Sequence, residues 1–436
     1  MAEVANIAKI PELRKRLLFT VLMLGIYRIG IFVPTPGIDT GELSRLITTG
    51  TVFDIFNLFS GGALEQFSIF ALGIMPYITS SIIFQLLSVA VPSIHQMQKE
   101  EGEAGRHKIS QYTRYATVLI SLVQGFGLTY GLKSQGIVLP GLGGFSFYLT
   151  TVVTLTAGTC FLMWLGEMIT ERGIGNGISM IIFGGIAARI PGAFRDAWDA
   201  KEQFSGLFGF LILILGIAAI IGFIIFMERA QRRIPVQYAK RVVGRKMFGL
   251  QSSHLPLKVN SSGVIPPIFA SSVILFPATI AQFASGNETL KLVAGMLSGG
   301  WVYIVLYVTL IIFFCYFYTA VAFNPVDVSE NLKKYGGYVP GIRPGQNTAD
   351  FIDRILSRIT LGGALYLSAI CILPQLISQQ FGIPSSLAYT FGGTSLLILV
   401  GVGMDTLAQV ESHLLSRHYE GFLGAKSGGR FRGRSG

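Results

Sequence analysis

The sequence predicts an all-α polytopic membrane protein with ten transmembrane helices arranged as two inverted pseudo-repeat halves of five. Three observations lead there. First, 51% of the 436 residues are hydrophobic and only 13% are charged, against about 25% charged in soluble domains. That leaves too few polar side chains to cover a water-exposed globule. Second, the chain breaks into ten apolar runs, each near the roughly 20 residues a bilayer span requires. Third, Gly-x-x-Pro-x-Ile occurs at Gly73, Pro76 and Ile78 and again at Gly263, Pro266 and Ile268. Each copy opens the second run of its half and is followed by a Ser-Ser pair. Two five-span halves in opposite orientation form the inverted plan of many transport proteins, with the pathway between the halves.

The runs are 17–33, 69–91, 116–132, 147–165, 174–190, 207–227, 263–283, 301–323, 359–380 and 387–407. A cytoplasmic segment, 1–16, precedes the first. Tyr27, Arg28 and Phe32 leave no small-residue cleavage site, so that run is no signal peptide. The first half covers 17–190 and an external linker 191–206. The second half covers 207–408, with basic loops at 228–260 and 324–356, and a basic tail fills 409–436. An even span count puts both termini on one side. Of the 34 Lys and Arg, only Arg45, Lys133, Arg189, Arg195, Lys201 and Lys291 fall opposite the termini, with Arg28 inside a span. The positive-inside rule therefore places both termini in the cytoplasm.

The same residues exclude several chemistries. Cys160, Cys315 and Cys371 lie singly in apolar runs, with no disulfide or metal-site spacing. All five histidines lie in polar segments, which leaves a haem or an intramembrane metal site without ligands. Gly424-Ala425-Lys426-Ser427 lacks the Gly-Lys pair of a phosphate loop. No enzyme, metal or cofactor is expected, and any driving energy comes from elsewhere. An ion-coupled secondary transporter is the alternative, but it needs midplane ionisable groups. Arg28, Glu167 and Asp405 all fall near span ends.

Three features carry the candidate function. Ile74 with Ile78 and Ile178 with Ile182 are spaced i, i+4, and Ile268 and Ile398 sit in other spans. Such residues either pack and face lipid or, as a ring, form a constriction that excludes water and ions by dewetting. Segment 52–70 is too polar in its second half to cross lipid and too apolar for a solvated loop. It reads as a re-entrant half-helix hinged at Gly61-Gly62 or as an interfacial amphipathic helix. The 6–7 loop alternates apolar residues (Ile234, Val236, Tyr238, then Val242 and Val243) as a strand or hairpin does. Its Arg232, Arg233, Lys240, Arg241, Arg245 and Lys246 suit a docking surface beyond topology and attraction to anionic lipid.

Several long motifs resemble the SecY family, the channel subunits of the bacterial Sec translocon. They include Phe56-Asn57-Leu58-Phe59-Ser60-Gly61-Gly62-Ala63-Leu64, Phe70-Ala71-Leu72-Gly73-Ile74-Met75-Pro76-Tyr77-Ile78 and Glu171-Arg172-Gly173-Ile174-Gly175-Asn176-Gly177. Gln231-Arg232-Arg233-Ile234-Pro235, His254-Leu255-Pro256-Leu257-Lys258, Val339-Pro340-Gly341-Ile342-Arg343-Pro344-Gly345 and Phe391-Gly392-Gly393-Thr394-Ser395 continue the match, which runs from about Pro11 to Phe422. The resemblance implies a clamshell around a central hourglass pore, in the bacterial cytoplasmic membrane. It implies a pore ring at Ile74, Ile78, Ile178, Ile182, Ile268 and Ile398. It also implies a plug over about 56–67, ending Glu65-Gln66-Phe67, and a lateral gate between spans two and seven. Arg343 and the two basic loops, including Lys333 and Lys334, would engage the SecA motor or the translating ribosome. SecE and SecG would be small membrane partners, and signal sequences and preproteins the substrates. Residues 427–436, with Arg430, Arg432 and Arg434 among glycines, read as a disordered basic tail.

Overall fold

In lipid, backbone polar groups find partners only within the chain, so apolar runs fold as helices. The computed structural model describes residues 11–41, 43, 57, 60–94, 97, 102–134, 136–139, 144–199, 206–238, 242–243, 246–247, 253–283, 300–381 and 391–427. The first half contains α1 (Pro11–Ile31), α2 (Met75–Ala90), α3 (Gly102–Ser134), α4 (Phe145–Arg172) and α5 (Gly177–Asp199). The second contains α6 (Leu207–Arg229), α7 (Ile265–Phe283), α8 (Gly300–Ala322), a short α9 (Pro325–Lys334), α10 (Gln346–Phe381) and α11 (Thr394–Ser427). Each expected run thus overlaps one long helix. Among the described residues seven helices are long and apolar enough to cross a membrane, with shorter apolar stretches at Met75–Ala90 and Ile265–Ile274. In α1 Glu12 lies in the first turn and Arg28 in the last, as the helix dipole favours, whereas Arg14, Lys15 and Arg16 near the start follow the positive-inside distribution instead.

The Gly-x-x-Pro-x-Ile repeat has a common local structure. Gly73 (φ 56°) and Gly263 (φ 62°) take the left-handed conformation, and α2 and α7 each start two residues later. The prolines Pro76 and Pro266 fall in the first turn, where a missing N–H costs no helical bond. The repeat is a pair of matched helix starts rather than kinks.

Helix lengths depart from the apolar runs in a consistent direction. α5 continues through Pro191 to Asp199, so the first part of the expected linker 191–206 is helical. α3, α10 and α11 project beyond their apolar windows, because polar residues outside lipid sustain a helix as readily as apolar ones inside it. Residues 428–436 of the expected basic tail lie outside the described residues.

One large hydrophobic cluster takes side chains from both halves. Two smaller ones tie the halves at their ends. Ala193 and Ala197 of α5 pack with Phe391, and Phe210 and Ile217 of α6 lie against them. There Phe194 meets Phe391 edge-on at 4.8 Å and Trp198 meets Phe210 at 5.2 Å. At the other end Leu13 of α1, Ile174 and Val410 of α11 cluster, and Gln409 Oε1 accepts from Gly175 N at 2.8 Å. Helix α11, which belongs to the second half by sequence, is therefore fastened to the first half just before its start, at Phe391, and at its middle, at Gln409 and Val410. The outer faces of α1, α6 and α8 expose Leu18, Leu215 and Trp301, as lipid-facing helices do.

Candidate functional site

The segment between α1 and α2 is the first component. Residues 60–74 form consecutive turns, so from the glycine hinge onward the segment is neither half-helix nor interfacial helix; Asn57, before the hinge, is helical. Gly61 (φ 66°) and Gly62 (φ 93°) are left-handed, as is Phe67 (φ 41°), and such residues interrupt helical hydrogen bonding. Residues 52–56, 58 and 59 of the 52–70 segment, including Phe56, Leu58 and Phe59 of the expected plug, lie outside the described residues. The remainder is held by its own polar groups. Asn57 Oδ1 accepts from Glu65 N at 3.2 Å while Asn57 Nδ2 donates to Glu65 Oε2 at 3.3 Å. Gly62 N donates to Asn57 O at 3.0 Å, and Ser60 Oγ accepts from Leu64 N at 3.3 Å. A polar, glycine-rich piece is accommodated because protein surrounds it and its main chain bonds both to itself and to residues of α1 and just after it.

That segment is buried. Ala63, Leu64, Phe67 and Phe70 belong to the large central cluster, while Gln66 is exposed. A Cβ on Gly61 would lie 2.7 Å from Gly185 Cα in α5, so the two backbones touch. A Cβ on Gly158 would likewise collide with the Ile69 carbonyl. Glycines on α4 and α5 let the chain lie flat against both helices.

All six candidate ring isoleucines fall in the same cluster. Ile74, Ile78, Ile182 and Ile398 are buried, and Ile178 and Ile268 are partly buried and pack against them. They come from the start of α2, from α5, α7 and α11, and thus from both halves. Ile178 also leans on α4, since a Cβ on Gly166 would lie 3.1 Å from its Cγ1. Where the halves face each other at α2 and α7, Ser272 Oγ lies 4.0 Å from Met75 Sδ. A cavity of about 320 Å³ opens between the start of α5 and α11, lined by Asn176, Ser179, Asp405, Thr406, Gln409 and Ser412. Along the chain Ser179 follows Ile178, and Asp405 lies two helical turns beyond Ile398. The other ionisable group near a span end, Glu167, pairs with Arg114 at 2.7 Å.

The two basic loops form one body. Strand β1 (Gln231–Tyr238) pairs antiparallel with β4 (Ser253–Lys258), and its end pairs with β5 (Gly337–Tyr338) from the other loop. Between β1 and β4, β2 (Val242–Val243) and β3 (Lys246–Met247) make a small hairpin. The alternation in the 6–7 loop is thus a strand, with Ile234 and Val236 inward. Ile234, Leu257, Val339 and Ile352 build a separate hydrophobic core beneath the sheet. The ends of the loop are tied at the membrane, where Asn260 Nδ2 donates to Glu228 Oε1 at 2.6 Å and Val259 N to Ala230 O at 2.9 Å.

Arg232 and Arg233 are exposed on β1, and Lys333 and Lys334 on the last turn of α9. Arg343 is exposed in a turn set by left-handed Gly341 (φ 82°) and Gly345 (φ 107°). Thr348 Oγ1 donates to the Arg343 carbonyl at 2.9 Å and Ser329 Oγ to that of Gly345 at 2.6 Å. Lys240, Arg241 and Arg245 lie outside the described residues, and Lys246 is described only as backbone in β3.

Sequence reasoning missed three contributors. Tyr27 and Arg28 of α1 bond the carbonyls of Ser60 and Gly61. Gly185 receives the segment. Arg28 was visible as a charge inside an apolar run, but its partner, a backbone carbonyl 33 residues away, leaves no trace in composition.

Comparison with known proteins agrees with this geometry. The SecY family model matches residues 68–407. "Protein translocase subunit SecY" of Escherichia coli strain K12 is 51% identical over 425 residues, covering 94% of this chain and 94% of that protein. A solved SecY structure superposes with a TM-score of 0.65 at 17% identity, covering 95% of this chain and 97% of that one. It is described for a plug domain that stabilises the closed state of that channel and maintains a membrane seal. Canine Sec61 in a ribosome-channel complex from the endoplasmic reticulum superposes with a TM-score of 0.63 at 16% identity, with coverages of 95% and 97%. On the family match and the extended identity, this multi-pass membrane chain belongs to the SecY family.

Proposed function

We propose that the chain is a protein-conducting channel. It passes unfolded preproteins across the bacterial cytoplasmic membrane and releases transmembrane segments sideways between α2 and α7. The observation that carries this reading is the composition of the centre. Isoleucines from four helices of both halves lie in one cluster with the buried 60–70 segment. A translocating chain has no fixed sequence, so specific hydrogen bonds cannot seal around it. Aliphatic side chains touch any residue without holding it. β-branched isoleucine is stiff at χ1, which favours a defined collar. In this reading the six isoleucines are the pore ring and 56–67 is the plug, as the resemblance implies.

Lateral release follows from partition energetics. Each Leu or Ile of a nascent segment favours lipid by about 0.3 to 0.6 kcal/mol, while a central Asp or Arg costs about 2.5 to 3.5 kcal/mol. The channel offers both routes, and the segment's composition decides between them.

The chain itself catalyses nothing in this reading; a partner supplies the energy. The sheet β4–β1–β5 fixes the two basic loops as one cytoplasmic platform. Its exposed arginines suit an acidic or phosphate-bearing partner, here the SecA motor or the ribosome, alongside anionic lipid. SecE and SecG complete the membrane assembly. Both termini lie in the cytoplasm on the positive-inside distribution.

Reconstitution tests this directly. Vesicles holding the chain with SecE, SecG and SecA should protect a signal-bearing preprotein from external protease when ATP is supplied. Ion-gradient-dependent uptake of a small solute without preprotein protection would establish the secondary transporter instead.

A further inference from the structure

Two kinds of attachment hold the segment between α1 and α2. At its far end the main chain is stitched: Thr35 N donates to Phe67 O at 2.8 Å and Ile69 N to Val33 O at 3.0 Å, around a bridge from Pro34 to Ser68. At its near end the attachment is made by two adjacent side chains of α1. The Tyr27 hydroxyl donates to the Ser60 carbonyl at 3.0 Å, and Arg28 Nη1 donates to the Gly61 carbonyl at 2.8 Å.

These two groups are placed for that purpose. Tyr27 is 2% exposed, and its ring stacks on Phe70 at 6.1 Å, which stacks in turn on Phe161 of α4 at 5.9 Å. The hydroxyl is therefore held at the tip of a three-ring aromatic stack. Arg28 carries a charge into an apolar run, where it is costly. Its guanidinium lies over the Phe32 ring at 5.7 Å and meets the carbonyl of a left-handed glycine. The Gly61 backbone, seated on Gly185, leaves no side chain between that carbonyl and α1.

We propose that Tyr27 and Arg28 are positioning residues that latch the closed channel. The stitch at 33–35 and 67–69 is a permanent hinge, and the two carbonyls at 60 and 61 are the catch. A main-chain stitch survives any side-chain rearrangement. The catch is lost once α1 shifts or a polar group of a translocating chain competes for the same donors. This rests on reading the segment as a plug, and it adds what sets the threshold for its release.

The test compares four variants of the full channel in lipid nanodiscs and planar bilayers: Tyr27→Phe, Arg28→Met, Arg28→Lys and a deletion of 60–67. One buried hydrogen bond is worth about 1 kcal/mol, and about 1.4 kcal/mol is a tenfold change in a population. Tyr27→Phe and Arg28→Met should speed amide exchange across 61–68 about fivefold to tenfold, leaving the α4 and α8 amides unchanged. Both should raise the resting ion current toward that of the deletion, and Arg28→Lys, which keeps a charged donor, should behave as the unmodified channel. A conducting deletion beside Tyr27→Phe and Arg28→Met channels with unchanged exchange and current would overturn the latch alone. A silent deletion would overturn the plug reading, and the latch with it.

Discussion

Ile182→Asn combined with Ile398→Asn should convert a channel that is silent at rest into one that passes ions. Both residues are buried, at 3% and 1% exposure, and they come from α5 and α11, on opposite sides of the divide between the halves. Isoleucine at a narrow point excludes water because it offers no hydrogen bond, and that dewetting is the barrier to ions. Two amides would hold water there, since a buried polar group without a partner costs several kcal/mol. Planar-bilayer recordings should show conductance steps absent from the unmodified channel. The double variant should also accept preproteins with defective signal sequences, because a weakened seal opens more easily. If these isoleucines only pack helices together, the amides would instead lower the yield of folded protein, with no current gained.

Arg343→Glu should abolish motor-driven translocation while leaving the channel folded. The side chain is exposed, and its turn is fixed by Gly341, Gly345 and the Thr348 hydroxyl bond to the Arg343 carbonyl, none of which the substitution touches. Losing a charge contact to a partner and leaving repulsion costs about 2 to 5 kcal/mol, so the rate should fall on the order of a hundredfold or more. Lys333→Glu, exposed on the last turn of α9 beside Lys334, should cost much less. Protease-protection assays with reconstituted motor measure both. Undiminished translocation by a stably folded Arg343→Glu channel would remove that residue from the docking face.

The helices were legible because hydropathy reports directly on the solvent a helix must match, and each expected apolar run overlaps one of them. The strand in the 6–7 loop was legible too, since Ile234 and Val236 keep the two-residue period of a half-buried sheet. Two kinds of feature were not. Composition cannot separate a buried turn from a short helix, and the mixed polarity of 60–74 suits either. Its conformation is decided by Gly61, Gly62 and Gly73, and by glycines on other helices, Gly158 and Gly185, that make room for it. Long-range pairing was the other blind spot. Nothing local marks β5 at Gly337–Tyr338 as the partner of Gln237 and Tyr238, or Tyr27 as the partner of Ser60. Helix ends were misjudged where polarity was taken for termination. Pro191 does not end α5, because a proline removes one helical bond and neighbouring packing at Ala193 and Ala197 compensates.

The central claim is that a translocating chain passes through the isoleucine cluster. A photo-crosslinking amino acid placed at 78, 182, 268 or 398, one at a time, reads this out with a preprotein arrested midway. Parallel placements at Leu18 and Leu215, exposed at 65% and 73% on the outer faces of α1 and α6, report on lipid-facing positions. The account expects the arrested preprotein to crosslink from all four isoleucine positions and from neither leucine. Crosslinks from the leucines with none from the isoleucines would contradict it.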